Sequence, residues 1–144
     1  MNNFLSVSGI DTNSTADFVF IDRMDCRYDK PSEFPVEAGS NPDSPFIGKS
    51  PQEVSQMLRK LCEDTGSEIM VWYIIIMDER TLRDDTVLLA TDDGDAMDGQ
   101  EIETVRATFE VAAEEVVLFH TGHRGIEEDQ WKAEKEGDGV FRGW

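Results

Sequence analysis

Basic residues are in short supply: 13 Lys and Arg stand against 31 Asp and Glu, leaving a net charge of −18. A chain so charged repels nucleic-acid phosphates, which excludes direct DNA or RNA binding as an expectation. The same field favours a basic protein partner or a small cationic ligand. Cysteine is almost absent, with only Cys26 and Cys62. That rules out a disulfide framework and a thiolate metal knuckle, and two reduced thiols suit a reducing compartment. Long apolar runs are missing too. Ile69 to Met77 is the longest, well short of the ~20 residues that span a bilayer. Met1 to Thr15 has no basic segment followed by a long apolar stretch, so it reads as a flexible lead-in rather than a secretory leader. A cytoplasmic location away from membranes is the expectation.

What is present suits a packed domain. Apolar residues make up 39% of the 144, too many for a disordered chain and enough for one core. No repeat or internal boundary interrupts 16–144, which is read as a single α/β domain. Phe18-Val19-Phe20-Ile21 reads as a buried strand. Residues 23–49 hold Pro31, Pro35, Pro42 and Pro45 and read as a long loop. Ser50-Pro51-Gln52-Glu53 is a helix start: Ser caps, Pro suits the first turn, and Glu closes a capping box. Val54, Met57, Leu58, Leu61 and Cys62 then recur on one helical face, and Gly66 ends the helix.

Ile69 to Met77 lacks polar alternation, which predicts a strand covered on both faces, parallel and central. Strand, helix and strand make a βαβ crossover. Thr86 to Ala90 and the alternating Ile102 to Val111 predict a hairpin. Ala112 to His120 is read as a helix whose inward face is Ala113, Val116, Val117 and His120. Ile126 to Glu136 is read as a charged helix held by Ile126 and Trp131. The expected fold is therefore α/β, with α+β as the alternative: a crossover plus a hairpin in a mixed sheet of about four strands, with three helices.

From Val87 to the C-terminus the order of elements and the ending Asp138-Gly139-Val140-Phe141-Arg142-Gly143 resemble a small family. It is a domain of unknown function in bacterial and fungal proteins whose members commonly end in Asp-Gly-Val-Phe-Arg-Gly. This chain departs from it at His120-Thr121-Gly122-His123, where members carry an Asn-Leu segment and a second Asn. The resemblance implies a fold and brings no catalytic residues.

Ligands of open α/β sheets bind beyond the carboxyl ends of parallel strands. That rule selects Asp22, Asp25, Asp78 and Glu79 as candidate acid/base or cation-holding groups, with Arg23, Tyr28 and Arg80 as candidate ligand contacts. If the first two strands are neighbours, Asp22 and Asp78 meet, and one carboxyl pKa rises. The bland alternative is that strand-end acids cap turns and that Arg23 and Arg80 neutralise them. His120 and His123 form a weak metal-ligand pair, and no metal is expected there. Asp92 to Gly99 lacks the ligand register of a calcium loop and reads as a solvated hairpin tip. No nucleophile elbow or phosphate loop occurs, so no cofactor is expected. Gly48-Lys49-Ser50, ahead of the helix, is a minor anion-site candidate.

Two functional expectations follow. One is an acidic interaction domain engaging a basic protein partner or a small ligand. The alternative is a small enzyme using Asp22 and Asp78 beneath the 23–49 loop, with Tyr28, Phe34 and Phe46 lining a pocket or pinning the loop to the core.

Overall fold

The computed structural model describes residues 3–10, 16–21, 23–28, 44–92 and 102–144. Asp22 and Phe34 lie outside them, as does most of the acidic stretch after Asp92. The strands are β1 (Asn3–Ile10), β2 (Ala16–Ile21), β3 (Tyr73–Met77), β4 (Thr86–Thr91), β5 (Glu103–Thr108) and β6 (Val140–Phe141). The helices are α1 (Pro51–Thr65), α2 (Thr81–Asp84), α3 (Phe109–His120) and α4 (Ile126–Lys135).

One mixed sheet runs β2-β1-β3-β4-β5-β6. Four of its strands, β2 to β5, are those expected from the sequence, and β4 and β5 form the expected antiparallel hairpin, Val87 opposite Ala107. The other two strands go beyond the four expected. Residues 3–10, expected as a loose lead-in, form β1, with Leu5 opposite Phe20 of β2 on one side and Ile75 of β3 on the other. Polar Asn3, Ser6 and Ser8 break the apolar pattern there, yet pairing with β2, and with β3 over Asn3 to Ser6, gives much of the backbone its N–H and C=O partners. β6 pairs parallel with β5, Ala107 opposite Phe141.

The insertion of β1 changes the crossover. β2 and β3 are each antiparallel to β1 and so run parallel to one another, but they are not neighbours. β3 itself is flanked by antiparallel partners rather than parallel ones. Its unbroken apolar character has a different cause: helices cover both faces of the sheet. The adjacent parallel pair is β5 and β6, joined through α3 and α4.

Alternation along the strands sorts the core into two layers. Ile74, Ile76 and Ala90 point to the α1 side, where they meet Val54, Leu58, Leu61 and Ile21. Ile75, Val87, Leu89, Val105 and Ala107 point the other way, to Ala112, Val116 and Phe119 of α3 and Ile126 and Ala133 of α4. Each fully buried Leu or Ile side chain stabilises this arrangement by ~1.5–3 kcal/mol. Phe46 is fully buried in the α1 layer, so this aromatic of the long loop pins it to the core.

α1 begins as expected. The Ser50 hydroxyl accepts from Glu53 N–H at 3.2 Å, and the Glu53 carboxylate accepts from Ser50 N–H at 2.8 Å. The Glu53 carboxylate thus occupies the positive end of the helix, taking the place an external anion would need. At the other end Gly66 caps in the left-handed region at φ 70°, a conformation that costs a residue with a Cβ more than it costs glycine.

α3 and α4 are rotated from their expected faces. The buried residues of α3 are Ala112, Glu115, Val116 and Phe119, and those of α4 are Ile126, Asp129 and Ala133. His120 is exposed, and Trp131, expected to anchor α4, is 54% exposed. An acidic residue therefore sits on the inward stripe of each helix.

Candidate functional site

Asp78 follows β3 directly, and its carboxylate is held from several sides. Arg106, projecting from β5, donates two hydrogen bonds to it, at 2.9 Å from Nη1 and 2.5 Å from Nη2. Thr81 N–H and the Thr81 hydroxyl both donate to Asp78 Oδ1 at 3.2 Å, closing the turn into α2. The Arg106 guanidinium, first, and the Thr81 donors hold the Asp78 carboxyl below its ordinary range against the opposing effect of burial. An acid so held is an ionised structural anchor and a poor proton donor at neutral pH.

An open cleft of about 540 Å³ adjoins this pair, lined by Ile47, Gly48, Asp78, Glu79, Arg80, Arg83 and Arg106. The structure thus brings together Asp78, Glu79 and Arg80 of the expected set and adds Arg83 and Arg106. Arg80 pairs with Asp84 at 2.8 Å, one helical turn on, rather than with Asp78. With Thr86 donating first and Arg80 second, Asp84 is pulled down to about 2. Arg23 pairs with Asp25 at 2.8 Å, both exposed, and that hydrogen bond lowers the Asp25 carboxyl. Tyr28 lies elsewhere: its N–H donates to the Ser67 hydroxyl at 2.9 Å, and its carbonyl accepts from Glu68 N–H at 2.8 Å. The proposed meeting of Asp22 and Asp78 lies outside the described residues, and β1 separates the strands that carry them.

His120 and His123 do not converge on an acid. His123 Nδ1 lies 2.8 Å from the Thr121 hydroxyl, and His120 stands edge-on to Tyr73 with ring centroids 6.5 Å apart. Among the described residues no group of three His, Cys, Asp or Glu side chains is arranged to hold a metal ion.

Three buried carboxylates escape a reading based on strand ends. Asp92, placed by the sequence in a solvated tip, is fully buried after β4. The Ser55 hydroxyl donates to its Oδ2, and Arg59 of α1 lies 3.1 Å from the same oxygen. The other two form a pair. Glu115 is 3% exposed and Asp129 0%, and the two acids act on one another across the α3–α4 seam. Arg124, from the connection between the helices, donates to Glu115 Oε1 at 2.6 Å. Trp144 Nε1 donates to Asp129 Oδ1 at 3.4 Å. Glu115 Oε2 and Asp129 Oδ2 are buried without a partner. Burial, and then the Glu115 charge, push the Asp129 carboxyl up to about 7, despite Trp144 and Arg124.

A signal for this pair exists in the sequence. Ala112, Glu115, Val116 and Phe119 follow i, i+3, i+4, i+7, and Ile126, Asp129 and Ala133 follow i, i+3, i+7. Each acid occupies a position where the apolar stripe demands a hydrophobe.

Among the described residues no helix is long and apolar enough to cross a membrane. Comparison with protein-family models, with curated proteins and with solved structures finds no match.

Proposed function

We propose that this domain binds a basic protein segment through the outer face of α4. The observation that carries this reading is Trp131. It is 54% exposed, and Glu127, Glu128 and Glu134 surround it at i−4, i−3 and i+3, all exposed. Among the described residues no cation lies within 4.0 Å of these three glutamates. Arg59, Arg106 and Arg124 are engaged elsewhere, on buried or half-buried acids. Lys135 places its ammonium 4.4 Å from the centre of the Trp131 ring, a contact of the kind a basic partner side chain would make with it. Tryptophan within a charged rim is a common anchor of protein interfaces, and cation–π contact adds ~0.5–1 kcal/mol at exposed sites.

The enzyme alternative finds less support. Its described carboxylate, Asp78, is committed to Arg106 and Thr81 as an ionised group.

The test is calorimetric titration with a Lys/Arg-rich peptide and with a neutral peptide of equal length, at low and high salt. The basic peptide should bind and lose at least tenfold in affinity on raising salt. Glu127→Gln, Glu128→Gln and Glu134→Gln together should cost a similar factor, and Trp131→Ala should weaken binding at constant charge. Equal binding of both peptides, or affinity indifferent to Trp131→Ala, would remove α4 as the docking face.

A further inference from the structure

We infer that Glu115 and Asp129 form a buried proton-binding site at the α3–α4 seam, with Trp144 packed against it as a reporter of its charge. The geometry rests on two orphaned oxygens, Glu115 Oε2 and Asp129 Oδ2, each buried and each without a donor. Two ionised carboxylates have no hydrogen between them to share. One proton turns one of the two acids into an O–H donor, the hydrogen that a pair of carboxylates lacks. The remaining oxygens are already engaged, Glu115 Oε1 by Arg124 and Asp129 Oδ1 by Trp144. A single arginine balances a single carboxylate, so the singly protonated pair is the neutral arrangement for this seam. Loss of the proton to solvent leaves two negative charges against one positive.

Among the described residues, the cation that acts on Asp129 is Arg124. From α3 the facing group is Glu115, from the α3–α4 connection Arg124, and from the residues after β6 the Trp144 indole. The core beneath, built from Val105, Ala107, Val116 and Phe141, is apolar. Lys132, one turn beyond Asp129, is turned to the Trp144 ring, 5.5 Å from its centre, while Arg124 lies 5.0 Å from the same ring. Phe141 meets the ring edge-on at 6.0 Å. Trp144 thus reads the state of the pair: it donates to Asp129 and is held by the cation that serves Glu115.

The sign follows from linkage. An aspartate of an unfolded chain titrates near ~4, and Asp129 in the fold is raised to about 7. The stabilisation is complete below about pH 4 and is lost as pH rises through about 7.

The experiment is a ¹³C titration of the aspartate carboxyls in the intact protein, with thermal melts at pH 5 and pH 8. One carboxyl signal, absent in Asp129→Asn, should titrate near neutrality. The melting midpoint should fall by several degrees between the two pH values, and Asp129→Asn should flatten that fall while the exposed His120 and His123 stay unchanged. Trp144 emission, isolated as the difference from Trp144→Phe, should shift over the same pH range. An Asp129 signal that titrates below about pH 5 would overturn the proposal. So would a wild-type fall that both Asp129→Asn and Glu115→Gln reproduce in full. If either variant does not fold, the wild-type carboxyl titration decides alone.

Discussion

On the α1 side of the sheet, Asp92 is fully buried, and α1 supplies both a hydroxyl and a guanidinium to it, from Ser55 and Arg59. On the α3–α4 side, Asp129 is equally buried, but the group that meets it is another acid. Depth is the same and the consequence is opposite. A buried carboxylate beside a cation has a counter-charge and fixes the layer; a buried carboxylate facing a carboxylate needs a proton. Asp78, half-buried at the rim, behaves as Asp92 does, because Arg106 reaches it from β5. Whether an acid is an anchor or a titrating group here depends on its counter-charge more than on its burial.

The sharpest way to break this contrast is Arg59→Ala. That removes the guanidinium beside a fully buried carboxylate, and the loss expected from breaking such a buried ion pair is ~3–5 kcal/mol, read from urea unfolding at neutral pH. Leu58→Ala, in the same layer, removes a fully buried side chain and should cost ~2–5 kcal/mol by the same measurement, with no dependence on pH. At the rim, Asp78→Asn should cost ~1.5–3 kcal/mol at pH 7, the range for hydrogen bonds to charged groups. The lowered Asp78 carboxyl contributes stability that is present above about pH 4 and lost as pH falls. The wild type should therefore lose its advantage over Asp78→Asn in acid, whereas its difference from Asp129→Asn changes with pH in the opposite sense. Ser50→Ala, which removes one half of the capping box, is the smallest effect at ~1 kcal/mol. It should leave both pH slopes untouched.

These elements were unequally legible. α1 could be read almost residue by residue because its signals are local: Ser50 and Glu53 are three positions apart, and the Val54, Leu58 and Leu61 stripe lies within two turns. The mixed sheet and the β4–β5 hairpin were readable from apolar runs for a similar reason. Strand order was not, because β1 finds β3 across some seventy residues of chain, and nothing in Asn3-Phe4-Leu5-Ser6 announces that partner. Asp78 was found by the strand-end rule, but its counter-ion lies on β5 rather than on the adjacent Arg80. Glu115 and Asp129 were hidden by the habit of assigning acids to the outside of a helix, which shifted both faces and placed Trp131 inward.

The placement of β1 also bears on how the chain is assembled. Its edge toward β2 can be satisfied by a neighbour in sequence, but its other edge waits for Tyr73–Met77, which emerges from the ribosome only after α1 has been made. Until then an unpaired strand edge is on offer to any other extended segment. Closing the sheet requires the α1 connection to pass over β1 and lay β3 along it, a long-range step that slows folding relative to hairpin formation. α1, with its own caps, is equipped to form early and shorten that search.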